Sequence, residues 1–274
     1  MKLLQGIVIG VLAICGRVAL ASPEADPNPA ESDDPASSMY ELGVAYEEGL
    51  VLERDEQEAF KWYARAAALG HAESMNRIGI LYATGRGLSQ DYVAALAWFR
   101  QAGASGSSGA LNNLAIAYFY GLGVPQSYDT AAKLLRGAAE RGDRAAENRL
   151  AVMYDQGLGV PKDHRRARGL LQQSAAQGYA PAMVGLGRIY VEGIGVPRDR
   201  ERGYALIRAA LAVGIPSELR ELAFFELGAA CARLDKQQSA RAEAAASEIV
   251  SSVTKDASRP VPSVRLAQQS ACGQ

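Results

Sequence analysis

The chain has 274 residues, 49% of them hydrophobic and 22% charged, with 28 glycines and a formal net charge of −1. That balance belongs to a globular protein and excludes a collagen-like or wholly disordered chain. The near-zero charge also gives bulk electrostatics no hold on nucleic acid or an anionic surface.

The first 21 residues read as a secretion signal. Lys2 gives a positive start, Leu3 to Cys15 is a short apolar run, and Ala19-Leu20-Ala21 before Ser22 has the small-x-small form of a cleavage site. The run falls short of the roughly 20 apolar residues that span a bilayer. An uncleaved N-terminal anchor is the alternative. Cleavage after Ala21 implies a periplasmic protein. It removes Lys2 and Arg17 from 29 basic residues set against 30 acidic ones, leaving −3.

Residues 22–36 hold Pro23, Pro27, Pro29, Pro35 and five acids, without one large apolar side chain. Such a stretch buries too little surface to offset its ordering entropy and is expected to be a disordered linker.

From residue 37 a period dominates. Tyr46, Tyr82, Tyr118, Tyr154 and Tyr190 are 36 residues apart, and each is followed three residues on by Gly49, Gly85, Gly121, Gly157 or Gly193. Gly87, Gly123, Gly159 and Gly195 follow two further on, with Val51 breaking that series. Gly70, Gly106, Gly142, Gly178 and Gly214 make a third ladder. Repetition at this length marks a solenoid.

Within one period, Met75, Ile78, Gly79 and Tyr82 share a helical face, and Gly85 stops the helix in the left-handed conformation. Asp55, Asp91, Ser127, Asp163 and Asp199 are N-cap residue types and open a second helix each time. Gly43, Gly79, Ala115, Ala151 and Gly187 are the small residues against which that second helix closes. Trp62, Trp98, Leu134, Leu170 and Leu206 are expected to fill the space opposite. One hairpin cannot bury its apolar face alone, whereas stacked neighbours can.

Beyond Gly214 the period fails. Leu227-Gly228 and Cys231 echo the Leu-Gly and Tyr positions, but Cys231 falls 41 residues after Tyr190. Residues 215–254 read as a pair of capping helices, and 255–274 as a flexible polar tail. Cys231 and Cys272 remain after loss of Cys15, an even number suited to a disulfide in an oxidising compartment. The alternative is that Cys231 is a small buried apolar residue.

The pattern Leu42-Gly43, Tyr46, Gly49, Asp55, Ala59, Trp62-Tyr63, Ala66-Ala67 and Gly70 resembles the Sel1-like repeat family, relatives of tetratricopeptide repeats. The resemblance covers residues 37 to about 214. It implies an all-α fold, an α/α solenoid wound as a right-handed superhelix from five helix-turn-helix repeats of 36 residues plus the capping pair. It also implies a non-catalytic scaffold whose partner is a protein or peptide. Related exported proteins act as adaptors or as regulators of membrane signalling proteins and envelope assemblies.

Chemistry is sparse. His71 and His164 occupy unrelated repeat positions and share no metal-ligand spacing. Ser252-Val253-Thr254-Lys255 has the Ser-x-x-Lys form of β-lactam-recognising enzymes, but its Lys-Thr-Gly companion is missing. The Gly-x-Gly turns follow helices, not strands, so they make no phosphate cradle. No enzyme activity, metal, cofactor or nucleic-acid partner is expected.

By the resemblance, the first helix of each repeat lines a concave face. Asn76, Asn112 and Asn148 form one row there, and an amide row can pair with an extended peptide backbone. Arg77, Asn113 and Arg149 form the next row. Ile116, with Phe119 and Tyr120 beside it, gives an apolar anchor, and Arg188 a further carboxylate fork.

Charge is uneven as well. Residues 22–58 hold twelve acids and one base, while residues 162–208 hold nine bases and four acids. Much of this basic set, including Arg165, Arg166, Arg168, Arg200 and Arg202, lies on second helices that face outward. A cell-wall or polysaccharide assembly factor using that basic convex face is the alternative function.

Overall fold

A computed structural model describes residues 34–49 and 52–255, and these form twelve helices with no strand among the described residues. Ten make five hairpins: α1 (Pro35–Glu48) with α2 (Glu56–Ala68), α3 (Ala72–Thr84) with α4 (Tyr92–Ala104), and α5 (Ser108–Tyr120) with α6 (Tyr128–Glu140). They continue as α7 (Arg144–Gln156) with α8 (His164–Ala176), and α9 (Ala180–Glu192) with α10 (Arg200–Val213). Two more follow, α11 (Ser217–Cys231) and α12 (Lys236–Lys255). The chain is an α/α solenoid. The expected signal, most of the linker and the tail beyond Lys255 lie outside the described residues. Helix α1 begins inside the range expected for the linker, since Asp34 caps it and Pro35 opens it.

The connections follow from a few backbone constraints. Each first helix ends on a left-handed glycine, such as Gly85 at φ 68°. The loop then returns so that the N-cap residue's backbone N–H donates to the ladder tyrosine's carbonyl. This bond recurs from Asp55 to Tyr46, Asp91 to Tyr82, Ser127 to Tyr118, Asp163 to Tyr154 and Asp199 to Tyr190, at 2.8–3.0 Å. The five cap side chains accept N–H groups of the second helix, as expected. The first helices of repeats two to four are capped too, by His71, Ser107 and Asp143.

The second glycine of Gly-x-Gly serves stacking. A Cβ on Gly123 would lie 2.7 Å from Tyr92 Cβ, and one on Gly159 would lie 2.3 Å from the Tyr128 carbonyl carbon. Both contacts reach the preceding repeat. Val51, which breaks this series in the first repeat, lies outside the described residues.

The residue opposite Gly43, Gly79 and Gly187 is one later than expected. A Cβ on Gly43 would meet the Tyr63 ring at 2.4 Å, one on Gly79 the Phe99 ring at 2.5 Å, and one on Gly187 the Ile207 side chain at 2.5 Å. Tyr63, Phe99, Leu135, Leu171 and Ile207 are buried, whereas Trp62, Trp98, Leu134 and Leu170 are only half-buried. One residue is about 100° of helix, enough to turn the tryptophans to the flank.

The last two helices do not form a sixth hairpin of this kind. Helix α12 packs along α10. Tyr204 Oη donates to Glu243 Oε1 at 2.6 Å, and Arg241 forms a two-point ion pair with Glu201 at 2.6 and 2.9 Å. Among the described residues helix α11 therefore keeps an open face. Gly228 has empty space where a Cβ would be, and Phe224 and Phe225 are 57% and 73% exposed.

Candidate partner-binding groove

The ten expected binding residues separate into three groups. Ile116, Phe119 and Tyr120 on α5 meet Arg149 and Val152 on α7 around a notch of about 140 Å³. Ala115, Leu135 and Met153 complete its lining. Tyr120 is 66% exposed and Val152 42%, so the rim is open. Phe119 is held edge-on between Tyr120 and Tyr128, with ring centroids 4.9 and 5.0 Å away. Its carbonyl accepts Gln126 Nε2 at 2.7 Å, which fixes the end of α5. An apolar notch with a rigid aromatic pair and one guanidinium at its edge suits a side chain from a partner polypeptide.

The asparagine row is closed rather than open. Asn76 and Asn112 are 7% and 8% exposed. Asn113 Nδ2 donates to Asn76 Oδ1 at 2.9 Å, and Arg149 donates to Asn112 Oδ1 at 3.2 Å. Both bonds join successive repeats. The row expected to face an extended peptide instead stitches the solenoid, because neighbouring first helices approach closely enough for direct amide contact. Asn112 consequently sets the pose of Arg149 at the notch. Asn148 stays half-buried.

Of the remaining arginines, Arg77 pairs with an acid. Arg77 lies 3.6 Å from Glu47, a 7%-exposed carboxylate that also accepts Tyr63 Oη at 2.7 Å and Arg86 at 2.5 Å. Burial and this carboxylate push the Tyr63 phenol well above its ordinary range. Arg188 has a buried Nε with no hydrogen-bond partner among the described residues. Its charge opposes the upward pull of burial and Glu192 on the Glu226 carboxyl. Sequence reasoning missed Glu47, Leu135 and Met153. Leu135 was legible as the positional equivalent of Phe99.

Cys231 is disulfide-bonded, while its expected partner Cys272 lies outside the described residues. Among those residues no group of three or more His, Cys, Asp or Glu gathers to hold a metal, and no helix is long and apolar enough to cross a membrane.

The Sel1 repeat profile matches residues 36–71, 72–107, 108–143, 144–179 and 180–214. No curated protein matches by sequence. Among solved structures, a Sel1 repeat protein from Oxalobacter formigenes is 31% identical with a TM-score of 0.66, over 83% of this chain and 90% of that one. A protective antigen of uropathogenic Escherichia coli displaying an SLR fold is 26% identical with a TM-score of 0.69, over 80% of this chain. The match spans about half of the antigen, 47% of its length. An immunity protein from Pseudomonas aeruginosa shares the fold at 20% identity and a TM-score of 0.53, over 84% of this chain and 85% of that one.

Proposed function

The chain belongs to the Sel1 repeat family, and on that premise we propose that it is a non-catalytic adaptor or regulator of the bacterial periplasm. It holds a segment of a partner protein in the notch between α5 and α7. Repeats of this family commonly serve as protein-interaction scaffolds. The observation that carries the reading is the pairing of Phe119 and Tyr120 with Arg149 and Val152 across two successive first helices, open to solvent at Tyr120. A membrane signalling protein or an envelope assembly complex is the expected kind of partner.

The test is a photo-crosslinking residue at Val152, with the protein expressed in its host. One dominant protein adduct is expected. Tyr120→Ala should reduce its yield by about tenfold or more, the scale of an aromatic hot spot. Tyr120 is exposed, so the melting temperature should not move. An adduct unchanged in both Tyr120→Ala and Arg149→Ala would sink the assignment.

A further inference from the structure

A second cavity lies away from the notch, where the loop and second helix of the fifth repeat meet the cap. It is an open cleft of about 670 Å³, and five of its lining side chains are Arg168, Arg198, Arg200, Arg202 and Arg233. Its two acids are already engaged. Asp199 accepts the backbone N–H of Arg202 at 3.0 Å as the cap of α10. Glu201 is taken by Arg241.

Among the described residues none of the five guanidiniums forms an ion pair. Arg168 donates to the Gly195 carbonyl at 3.2 Å, and Arg198 Nε donates to the Glu192 carbonyl at 2.9 Å. Arg202 lies over the Tyr190 ring, 4.3 Å from its centroid. These contacts fix three forks against backbone and ring and leave their charge uncompensated. The Arg200 and Arg233 side chains make no hydrogen bond or ion pair among the described residues.

The other repeats serve as internal controls. The position of Arg200 is Glu56, Tyr92, Tyr128 and His164 in the first four repeats, and that of Arg202 is Glu58, Ala94, Thr130 and Arg166. All five repeats build the same hairpin, so folding does not require arginine at either place. Gathering like charges opposes folding unless an anion answers them.

We propose that this cleft binds an acidic peptide segment of a partner protein. Fixed guanidinium forks match the carboxylates of Asp and Glu in two-point geometry. Val196, Pro197 and Leu234 supply an apolar part of the wall. A bare inorganic anion would use only the arginines, whereas a peptide carrying carboxylates and one aliphatic side chain uses both parts.

The test is fluorescence polarisation on the whole chain. The probe is a labelled peptide of about twelve residues, rich in Glu and Asp and carrying one Leu, and its control has every acid replaced by the amide. The acidic peptide should bind and the amide control should not. Raising salt from about 0.05 to about 0.3 M should weaken binding by about tenfold. Arg200→Glu with Arg233→Glu should abolish binding at an unchanged melting temperature, while Tyr120→Ala leaves it intact. Equal binding of the amide control, native affinity in the double variant, or no binding of the acidic probe overturns the proposal. So does a sulfated oligosaccharide that displaces the peptide at lower concentration, which would make the cleft a glycan site.

Discussion

Gly187 and Gly228 occupy the same place in their Leu-Gly pairs, yet alanine should have opposite effects at the two. A Cβ at Gly187 would sit 2.5 Å from Ile207 Cγ1 and 3.0 Å from the Gly203 carbonyl oxygen. Ile207 is fully buried and the carbonyl belongs to the backbone of α10, so neither yields easily. Overpacking of this kind costs about 1–3 kcal/mol. Replacing a helical glycine by alanine returns about 1 kcal/mol. Gly187→Ala should therefore destabilise by up to about 2 kcal/mol, allowing for that return. At Gly228 nothing among the described residues stands within reach of the added methyl. Only the helix term acts, and Gly228→Ala should stabilise by about 1 kcal/mol. The two variants differ by about 1–3 kcal/mol, so their thermal melts would separate by about 2–12 °C at 2–4 °C per kcal/mol for a domain of this size. Equal shifts of the same sign would refute the claim that α11 has an uncovered face where α9 has a helix.

The Glu47 cluster should behave as a single unit. Glu47→Ala strands the Tyr63 hydroxyl and leaves Arg77 and Arg86 unpaired, and both arginines are about one-third exposed. Water partly compensates them, so the loss should be about 2–3 kcal/mol, below the usual range for a broken buried pair. A urea midpoint moved by less than about 0.5 kcal/mol equivalent would contradict the geometry. The Glu226 carboxyl gives a pH signature. Burial and Glu192 raise its pKa above 4.5, so the native state holds this proton more tightly than the unfolded chain does. Its contribution is favourable below the unfolded value and is lost as pH rises through the raised one. Glu226→Gln should accordingly raise the melting temperature at pH 7 and leave it unchanged near pH 4. A variant that melts lower at pH 7 would contradict this assignment.

The repeat was legible because its ladder positions answer to backbone constraints, and these leave few residue choices. A left-handed φ demands Gly85. The first N–H groups of α4 demand Asp91. Contact of the loop with the start of the preceding repeat's second helix demands Gly123. What stayed hidden depends on how far successive first helices are rotated. The two asparagine ladders could be read as a row pointing outward or as contacts between repeats, and the choice turns on one residue of phase. The same phase carried the core from Trp62 to Tyr63. In retrospect both inter-repeat bonds, Asn76 with Asn113 and Asn112 with Arg149, span 37 residues, the period plus one. That spacing was present in the chain, but only the distance between helices shows that it is a bond.

The basic cleft was hidden for a different reason. Arg168, Arg198, Arg200 and Arg202 were visible as a charged run. Arg233 joins them from the cap, and α11 and α12 break the period that made every other contact inferable. Periodic positions in this protein hold the solenoid together, since the same residue type recurs wherever the same backbone contact recurs. The side chains that depart from the period are released from that duty. Phe119 and Tyr120 exist in one repeat of five, and so do Arg168 and Arg200, while Arg233 lies beyond the repeats. In a fold built from copies, what is not copied is where binding specificity is free to reside.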